Sequence, residues 1–531
     1  MAHRHQGFDV LSLLSNSTRS IGSRVNVSVH CRSKNRCSSS VAAVTYHART
    51  GEALMHNRSC RRFALISLLI YTISAASYAS SEDWPKFLRD LNNSANSAET
   101  GIDSSNVSTL RAKWVFSTGY EVSASPAVAT IKGESILYLG SWDGTFHALN
   151  AVTGQKIWSF TIDIIPPCTT NSCRIGSSAA VDVANNLVFF GTMNAYLYAL
   201  NATTGALVWK QQLGDPTKGA EVWSSPVFYN GMVFVGLASH TDSPCIIGLV
   251  NAYHELSGNP VWSFSTIDQN SCSSGTCVGG AVWSSLAIDA TNGIVYAGTG
   301  NPGASCTPPT QNATRYPDAV LALDAANGTL LNYYLAVAND TQDNDFGTSP
   351  MLHMSGKTNQ CTGHNTIAYW VSDMNKAGGI FTLGRNANGL TGTRQKLQGP
   401  SGSIASGAFR EQTVTTQCST GKQLVQYSNN IFVPNQAGDL LTLFQSYTGK
   451  VSLKATTKVS QKANYSAPAV IKDIVLFGSN DGHVYVTNTN GTKLTSFTVK
   501  GGVFGGIAIS NNRIYYGSSQ GYIYCMSPNG M

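Results

Sequence analysis

The sequence predicts an all-β chain built as an eight-bladed β-propeller of four-stranded antiparallel blades. Three observations lead there. A phrase recurs along the chain, its parts alternate like strands between hairpin turns, and no long segment after the first 80 residues carries the 3.6-residue period of an amphipathic helix. The phrase reads LYLGSWDGTFHALNAVTGQKIW up to Trp158 and VFFGTMNAYLYALNATTGALVW up to Trp209. It reads VFVGLASH…GLVNAYHELSGNPVW up to Trp262, then VYAGTGNPG…AVLALDAANGTLL, and later FGSNDGHVYVTNTNGTKL.

Each copy has the same parts in the same order. A short apolar strand ends in Gly. A tight polar turn such as Trp142-Asp143-Gly144 follows, then an alternating strand through Ala-Leu-Asn or Ala-Leu-Asp. A Thr-Gly-type turn reverses the chain into a third strand, often closed by Trp. Asp-Gly, Asn-Gly and Thr-Gly pairs between β-branched and aromatic runs are hairpin signals. One such unit cannot bury both faces alone, whereas units arranged around an axis cover one another.

Turns near Gly154, Gly205, Gly258, Gly328, Gly389, Gly449, Gly491 and Gly530 give eight units. Seven is the alternative count, because the units at 345–397 and 405–454 depart from the phrase. A solenoid would need capping units that the sequence lacks. The last unit stops before its fourth strand. The early segment RAKWVFS, Arg111 to Ser117, belongs to no unit and is expected to supply that strand and close the ring.

The chain has 531 residues, of which 42% are hydrophobic and only 12% charged, which fits a large all-β exported body. Residues 58–80 read RSCRRFALISLLIYTISAASYAS: a basic start, an apolar run and small residues at a cut after Ala79. We expect a signal peptide over 55–79, with a signal anchor as the alternative, and the propeller over 80–531. The apolar run is too short to span a bilayer comfortably, so no membrane span is expected once the signal is removed. Residues 1–54 carry no repeat and are expected to be disordered or artefactual, with translation starting at Met55.

The net charge of +7 resides in the leader region: residues 1–80 hold ten basic and two acidic side chains, and the rest holds 25 and 26. That balance gives no basic patch for nucleic acid. The expected location is secreted, or periplasm-like in a bacterium. Asn92, Asn106, Asn201, Asn312, Asn327, Asn339, Asn464 and Asn490 stand in Asn-x-Ser/Thr, which in a eukaryote makes several of them glycosylation sites.

Nine cysteines follow the leader. Cys168/Cys173 and Cys272/Cys277 are expected as local disulfides. Zinc is the alternative, but no His cluster accompanies either pair. Cys306 is expected to pair with Cys361. An odd count leaves at least one thiol unpaired.

The repeat, with its Ala-x-Asp-x-x-Thr-Gly-x-x-x-Trp core, resembles the pyrroloquinoline quinone (PQQ) propeller repeat. DWPKFLRDLNNSANS, from Asp83, is similar to the opening segment of that family. Among its members the chain looks most like polyvinyl-alcohol-dehydrogenase-like proteins. The resemblance covers roughly residues 83–531. It implies a dehydrogenase that oxidises an alcohol by hydride transfer to PQQ, with Ca²⁺ at the quinone.

Four departures from the repeat carry the implied chemistry. GGAVWSSLAID places Trp283 where the family lays a flat indole against the cofactor. VYAGTGNPG places Asn301 where an amide oxygen meets the metal, which as a hard cation takes oxygen donors. DNDFGTSPML contains Asp343 and Asp345, and Asp345 matches the base that takes the alcohol proton and also meets the metal. SDMNKAGGIF places Lys376 as the cation that polarises the reactive carbonyl. Two further matches implicate Asn435, in FVPNQAGDL, and Arg174, in NSCRIGSSAA, in holding the cofactor and its carboxylates.

The chain also departs from the family. A metal-binding Glu is replaced by His240 or Thr241, leaving Asp242, one residue along, as the carboxylate expected to ligate the metal there. There is no adjacent Cys-Cys pair for a ring disulfide. There is no Cys-x-x-Cys-His for haem, so electrons must leave to a separate acceptor. The rival reading is a non-catalytic propeller that binds protein or glycan. A hydrolase using a carboxylate pair is a third, for which no pair stands out.

Overall fold

Glycine in the left-handed region makes the outer turns. Gly154, Gly205, Gly258 and Gly328 have φ between +70° and +74°, which other residues adopt only under strain. These glycines also receive a tryptophan from the preceding unit. A Cβ on Gly205 would stand 2.6 Å from the Trp158 ring, and Gly154, Gly258 and Gly328 face Trp114, Trp209 and Trp262 in the same way. Each indole then donates to a backbone carbonyl of that turn: Trp114 to Ala151 at 3.0 Å, Trp158 to Ala202 at 3.0 Å, Trp209 to Glu255 at 2.8 Å and Trp262 to Ala325 at 3.0 Å. The Thr-Gly-x-x-x-Trp spacing is thus an inter-unit joint. Burying an indole contributes about 4–6 kcal/mol of gross transfer free energy.

The computed structural model describes residues 82–163, 174–239, 246–268, 277–303, 316–338, 340–399 and 405–528. The extension expected over 1–54 and the leader over 55–79 lie outside them. Among the described residues the strands form seven sheets that hold eight four-stranded antiparallel units. The first unit comprises Ala127–Ile131, Glu134–Gly140, Thr145–Asn150 and Lys156–Thr161, paired in that order. The fourth comprises Ala287–Asp289, Ile294–Gly298, Ala319–Asp324 and Leu330–Leu335.

The fifth and sixth units, whose sequences depart from the phrase, share one eight-stranded sheet. Their first hairpins are longer than the others. Gly356–Asn359 of Met351–Asn359 therefore reaches Leu424–Tyr427 of Gln423–Pro434 and pairs with it. A disulfide between Cys361 and Cys418 joins the two hairpin tips. This corrects the expected Cys306–Cys361 pairing, and Cys306 lies outside the described residues. Cys277 is disulfide-bonded. Its expected partner Cys272, and the pair Cys168/Cys173, also lie outside them. Cys525, buried in the last unit, is a free thiol.

Closure follows the sequence expectation. Arg111–Ser117 pairs antiparallel with Tyr522–Ser527 and completes the last unit with Ala508–Ser510 and Arg513–Gly517. An early strand and the last strand are thereby zipped into one sheet, which covers an otherwise exposed edge.

A belt of hydroxyls runs around the inner strands. The backbone N–H of Ser125 donates to Ser178 Oγ, Ser178 to Ser225, Ser225 to Ser285, Ser285 to Ser349, and Ser349 to Ser406, each at 2.9–3.0 Å. Gly506 N–H donates back to Ser125 Oγ at 2.6 Å. Each belt residue sits two before its inner strand, so the first six units meet their neighbours at the same height, and Gly506 brings the eighth unit to that height too.

Three residues beyond the belt, six inner strands donate to one N-terminal segment. Val128, Val181, Ile288, Leu352, Phe409 and Val470 bond the carbonyls of Trp84, Pro85, Leu91, Asn92, Ser94 and Ala95 at 2.8–3.0 Å. Residues 84–95 thus fill the axis on that side of the belt. Within this segment Lys86 Nζ donates to Asn93 Oδ1 at 2.7 Å, and Asn93 Nδ2 donates to the carbonyls of Leu286 and Pro350.

Candidate active site

The chain runs into each inner strand from the other side of the belt. The turns between second and third strands open on that same side. This arrangement brings distant sequence together. Trp283 stands two residues before belt Ser285. Asn301 follows the second strand of the fourth unit. Asp343 and Asp345 lie in the loop leading into the fifth unit, and Lys376 lies in the turn after Asn365–Met374.

Four of these residues and Asp343 form one polar cluster. Trp283 Nε1 donates to Asp345 Oδ2 at 2.9 Å. Lys376 Nζ stands 2.9 Å from Asp345 Oδ1 and 2.6 Å from Asp343 Oδ1. Asn301 Nδ2 donates to Asp343 Oδ1 at 2.8 Å. The same ammonium lies 5.2 Å from the centre of the Trp283 ring, a cation–π contact. The backbone supports this arrangement: Lys376 N–H donates to the Asp345 carbonyl at 2.9 Å, and Phe346 and Asn375 form a β-bridge.

Burial sets the electrostatics. Asp345 is 2% exposed and Asp343 45%. Burial pushes the Asp345 carboxyl up to about 6, with the Lys376 ammonium and the indole hydrogen bond pulling the other way. A carboxylate with a raised pKa beside a fixed cation and a half-buried aromatic face is suited to taking a proton from a hydroxyl.

The other sequence candidates make local contacts of their own. Arg174, leading into the second unit, stacks over Trp142 at 4.2 Å. Asn435 is fully buried, and its Oδ1 accepts from the Asp439 N–H at 2.8 Å while its Nδ2 reaches Asp439 Oδ2 at 3.3 Å, so its amide holds its own turn. Asp242, with His240 and Thr241, lies outside the described residues.

Two features were missed in the sequence. Trp223 stands in the same register as Trp283, both within Val-Trp-Ser-Ser, and Tyr465 and Phe504 occupy that position in the seventh and eighth units. All four are half-buried, and the Tyr465 and Phe504 rings lie 5.7 Å apart. Counting back two residues from each belt position would have found this aromatic set. The second feature is Asp318, fully buried before the third strand of the fourth unit. No sequence signal separates it from a turn carboxylate.

Among the described residues, no three His, Cys, Asp or Glu side chains converge closely enough to form a metal centre as they stand. The donor chemistry nevertheless fits a hard cation. Asn301, Asp343 and Asp345 supply amide and carboxylate oxygens. Asp343 and Asp345 together bring more negative charge than the Lys376 ammonium offsets, and the Asp318 carboxyl lies in the same electrostatic neighbourhood.

The chain is similar to known proteins. "Quinoprotein alcohol dehydrogenase PedH" of Pseudomonas putida is 28% identical over 284 residues, covering 48% of this chain and 46% of that protein. "Polyvinylalcohol dehydrogenase" of a Pseudomonas species is 25% identical over 344 residues, covering 58% and 52%. The chain spans about half the length of these curated relatives. In fold, a europium-containing methanol dehydrogenase superposes with a TM-score of 0.63 at 18% identity, covering 84% of this chain and 98% of that one. The profile of the β-propeller domain of the PQQ-type glucose/ethanol/alcohol dehydrogenases matches residues 84–393, more than half of the chain, and the protein belongs to that family.

Proposed function

We propose that this protein is a secreted dehydrogenase that oxidises a secondary or polymeric alcohol with PQQ and a bound metal ion. The observation that carries the proposal is the junction of Trp283, Asp345 and Lys376. Three separate segments deliver an aromatic face, a buried carboxylate and an ammonium to one point. When bound, the quinone supplies the hydride acceptor and the cation a Lewis acid.

The chain's own residues do the rest. Trp283 offers its ring to a planar ligand and fixes Asp345 through the indole N–H. Asp345 takes the hydroxyl proton on a carboxylate oxygen as the alcohol carbon loses its hydride. Lys376 bridges Asp343 and Asp345 and presents a positive charge over the indole ring. Asn301 and the two carboxylates would hold the metal, with Ca²⁺ the ion implied by the sequence. In the described chain no haem-attachment motif occurs, so the two electrons pass to a separate acceptor.

The match to a polyvinyl-alcohol dehydrogenase supports the polymeric substrate. The disulfides at Cys277 and Cys361–Cys418 support an oxidising compartment. Asn92, Asn327 and Asn490 are exposed enough for glycans, whereas Asn464 is fully buried and drops out of the expected set.

The test is titration of the purified chain with PQQ in the presence of Ca²⁺ or a lanthanide, followed by dye reduction with primary, secondary and polymeric alcohols. The expected result is stoichiometric quinone binding and alcohol-dependent reduction. A folded protein that takes up no quinone would mark a non-catalytic propeller.

A further inference from the structure

We propose that Asp318 is a ligand of the cation at the Asn301–Asp343–Asp345 site, a carboxylate supplied from within the fourth unit. The inference rests on the metal reading above and assigns a residue that the sequence resemblance does not.

Three observations carry it. First, Asp318 is completely buried, and among the described residues neither of its carboxylate oxygens meets a hydrogen-bond donor. A buried carboxylate with no donor is one of the most costly groups a fold can hold, and such groups are normally paired or bound to metal. Nearby Asp340 shows the contrast. It is also buried, but its oxygens accept from Gln342 N–H, Asn344 N–H and Asn344 Nδ2.

Second, Asp318 is tied to the metal-side backbone. Its N–H donates to the Gly300 carbonyl at 3.1 Å, one residue from Asn301, and its own carbonyl accepts from Ala336 at 2.9 Å. Its φ of +54° places it in the left-handed region. Two main-chain bonds and an uncommon backbone conformation hold an unsatisfied carboxylate beside the site.

Third, its charged surroundings are those of the site itself. Asp340, Asp345 and Asp343 press on it with negative charge, and Lys376 opposes them. Burial and these neighbours together push the Asp318 carboxyl up to about 9. Lys376 is already engaged with Asp343 and Asp345 at 2.6 and 2.9 Å. A hard cation taking oxygens from Asp318, Asp345 and Asn301 would let Asp318 sit there as a carboxylate.

The test uses the full chain and terbium(III), read by tryptophan-sensitised luminescence, with Ca²⁺ as competitor. Trp283, hydrogen-bonded to Asp345, is the built-in donor. Asp318→Asn is the first variant, because Asn tolerates the left-handed conformation. Asp318→Gly is the second, since Gly adopts that conformation freely. Circular dichroism confirms the fold, and Asp345→Asn marks the loss expected of a site ligand. In both Asp318 variants terbium affinity is expected to fall by roughly tenfold or more, the loss seen even for groups that only support metal ligands. If wild type binds terbium and both variants bind it equally well, Asp318 is not a ligand while the metal reading stands. If wild type binds neither terbium nor Ca²⁺, with or without PQQ, the metal reading fails and the Asp318 assignment fails with it.

Discussion

The indole nitrogen of Trp283 and the carboxylate of Asp345 are joined by a 2.9 Å hydrogen bond across the boundary between the fourth and fifth units. The two residues are 62 positions apart in sequence. The bond does two things at once. It fixes the plane of an aromatic surface, and it aims one oxygen of a buried carboxylate, leaving the other oxygen facing Lys376 at 2.9 Å. The proposed site is therefore an interface between units, and both units must be correctly docked for it to exist.

Replacing Asp345 by Asn keeps the shape and removes the base. Quinone binding is expected to persist, because the Trp283 face and Lys376 remain. Turnover with alcohols is expected to fall by roughly 10²-fold or more, the usual worth of a positioned general base. Stopped-flow dye reduction beside a quinone titration measures both, and equal turnover would remove Asp345 from the mechanism. Lys376→Met should lower turnover as well, since the two aspartates lose their shared cation.

The tryptophan joints set stability. Gly205→Ala forces a Cβ to within 2.6 Å of the Trp158 ring at a φ of +74°. Strain and overpacking act together, and a loss of about 2–4 kcal/mol is expected. Gly133→Ala has a similar positive φ but meets nothing within 4 Å, so it reports backbone strain alone. Urea unfolding of the two variants separates the contributions, and the Gly205 variant should be clearly the less stable.

A pH dependence follows from Asp373. It is fully buried, accepts from Thr348 Oγ1 and the Met374 N–H, and is pushed up to about 8, chiefly by burial. The folded state therefore holds its proton more tightly than the unfolded chain. Its contribution is favourable at pH values below the ordinary carboxylate range. That contribution is lost as pH rises from about 4 to about 8. Asp373→Asn should flatten this slope, so the variant should gain on wild type between pH 4 and pH 8 in denaturation midpoints. A difference that stays constant with pH would contradict the burial argument.

The Cys361–Cys418 bridge closes a 57-residue separation, worth about 4 kcal/mol in the chain-entropy account. It ties the tips of two long hairpins outside the repeat body. Cys418→Ser is expected to leave the ring folded and to open the hairpins, read as protease cleavage near residues 359–365 and 417–423. Loss of the whole fold instead would place these hairpins in the propeller's core stability.

The sequence by itself determined the architecture and named residues that the structure brings together at the candidate site. Thr-Gly-x-x-x-Trp is a local spacing, yet each copy encodes a long-range joint, because the left-handed Gly leaves the space that a neighbouring Trp fills. RAKWVFS was legible as the closing strand because it was a strand without a unit. Trp283, Asn301, Asp345 and Lys376 were legible because each interrupts the phrase.

Tertiary structure decided what those residues touch. Trp223 and Trp283 share one motif, and only their positions around the axis separate them. Asn435 matched a pattern but holds its own turn, because Asp439 lies within reach of its amide. Cys361 met Cys418 because two unusually long hairpins pair side by side, a register that no spacing announces. Asp318 became conspicuous only through burial and the absence of any donor, which depend on packing from several units at once. Turn and strand chemistry is written in neighbouring residues, whereas burial and charge balance arise only when eight units meet.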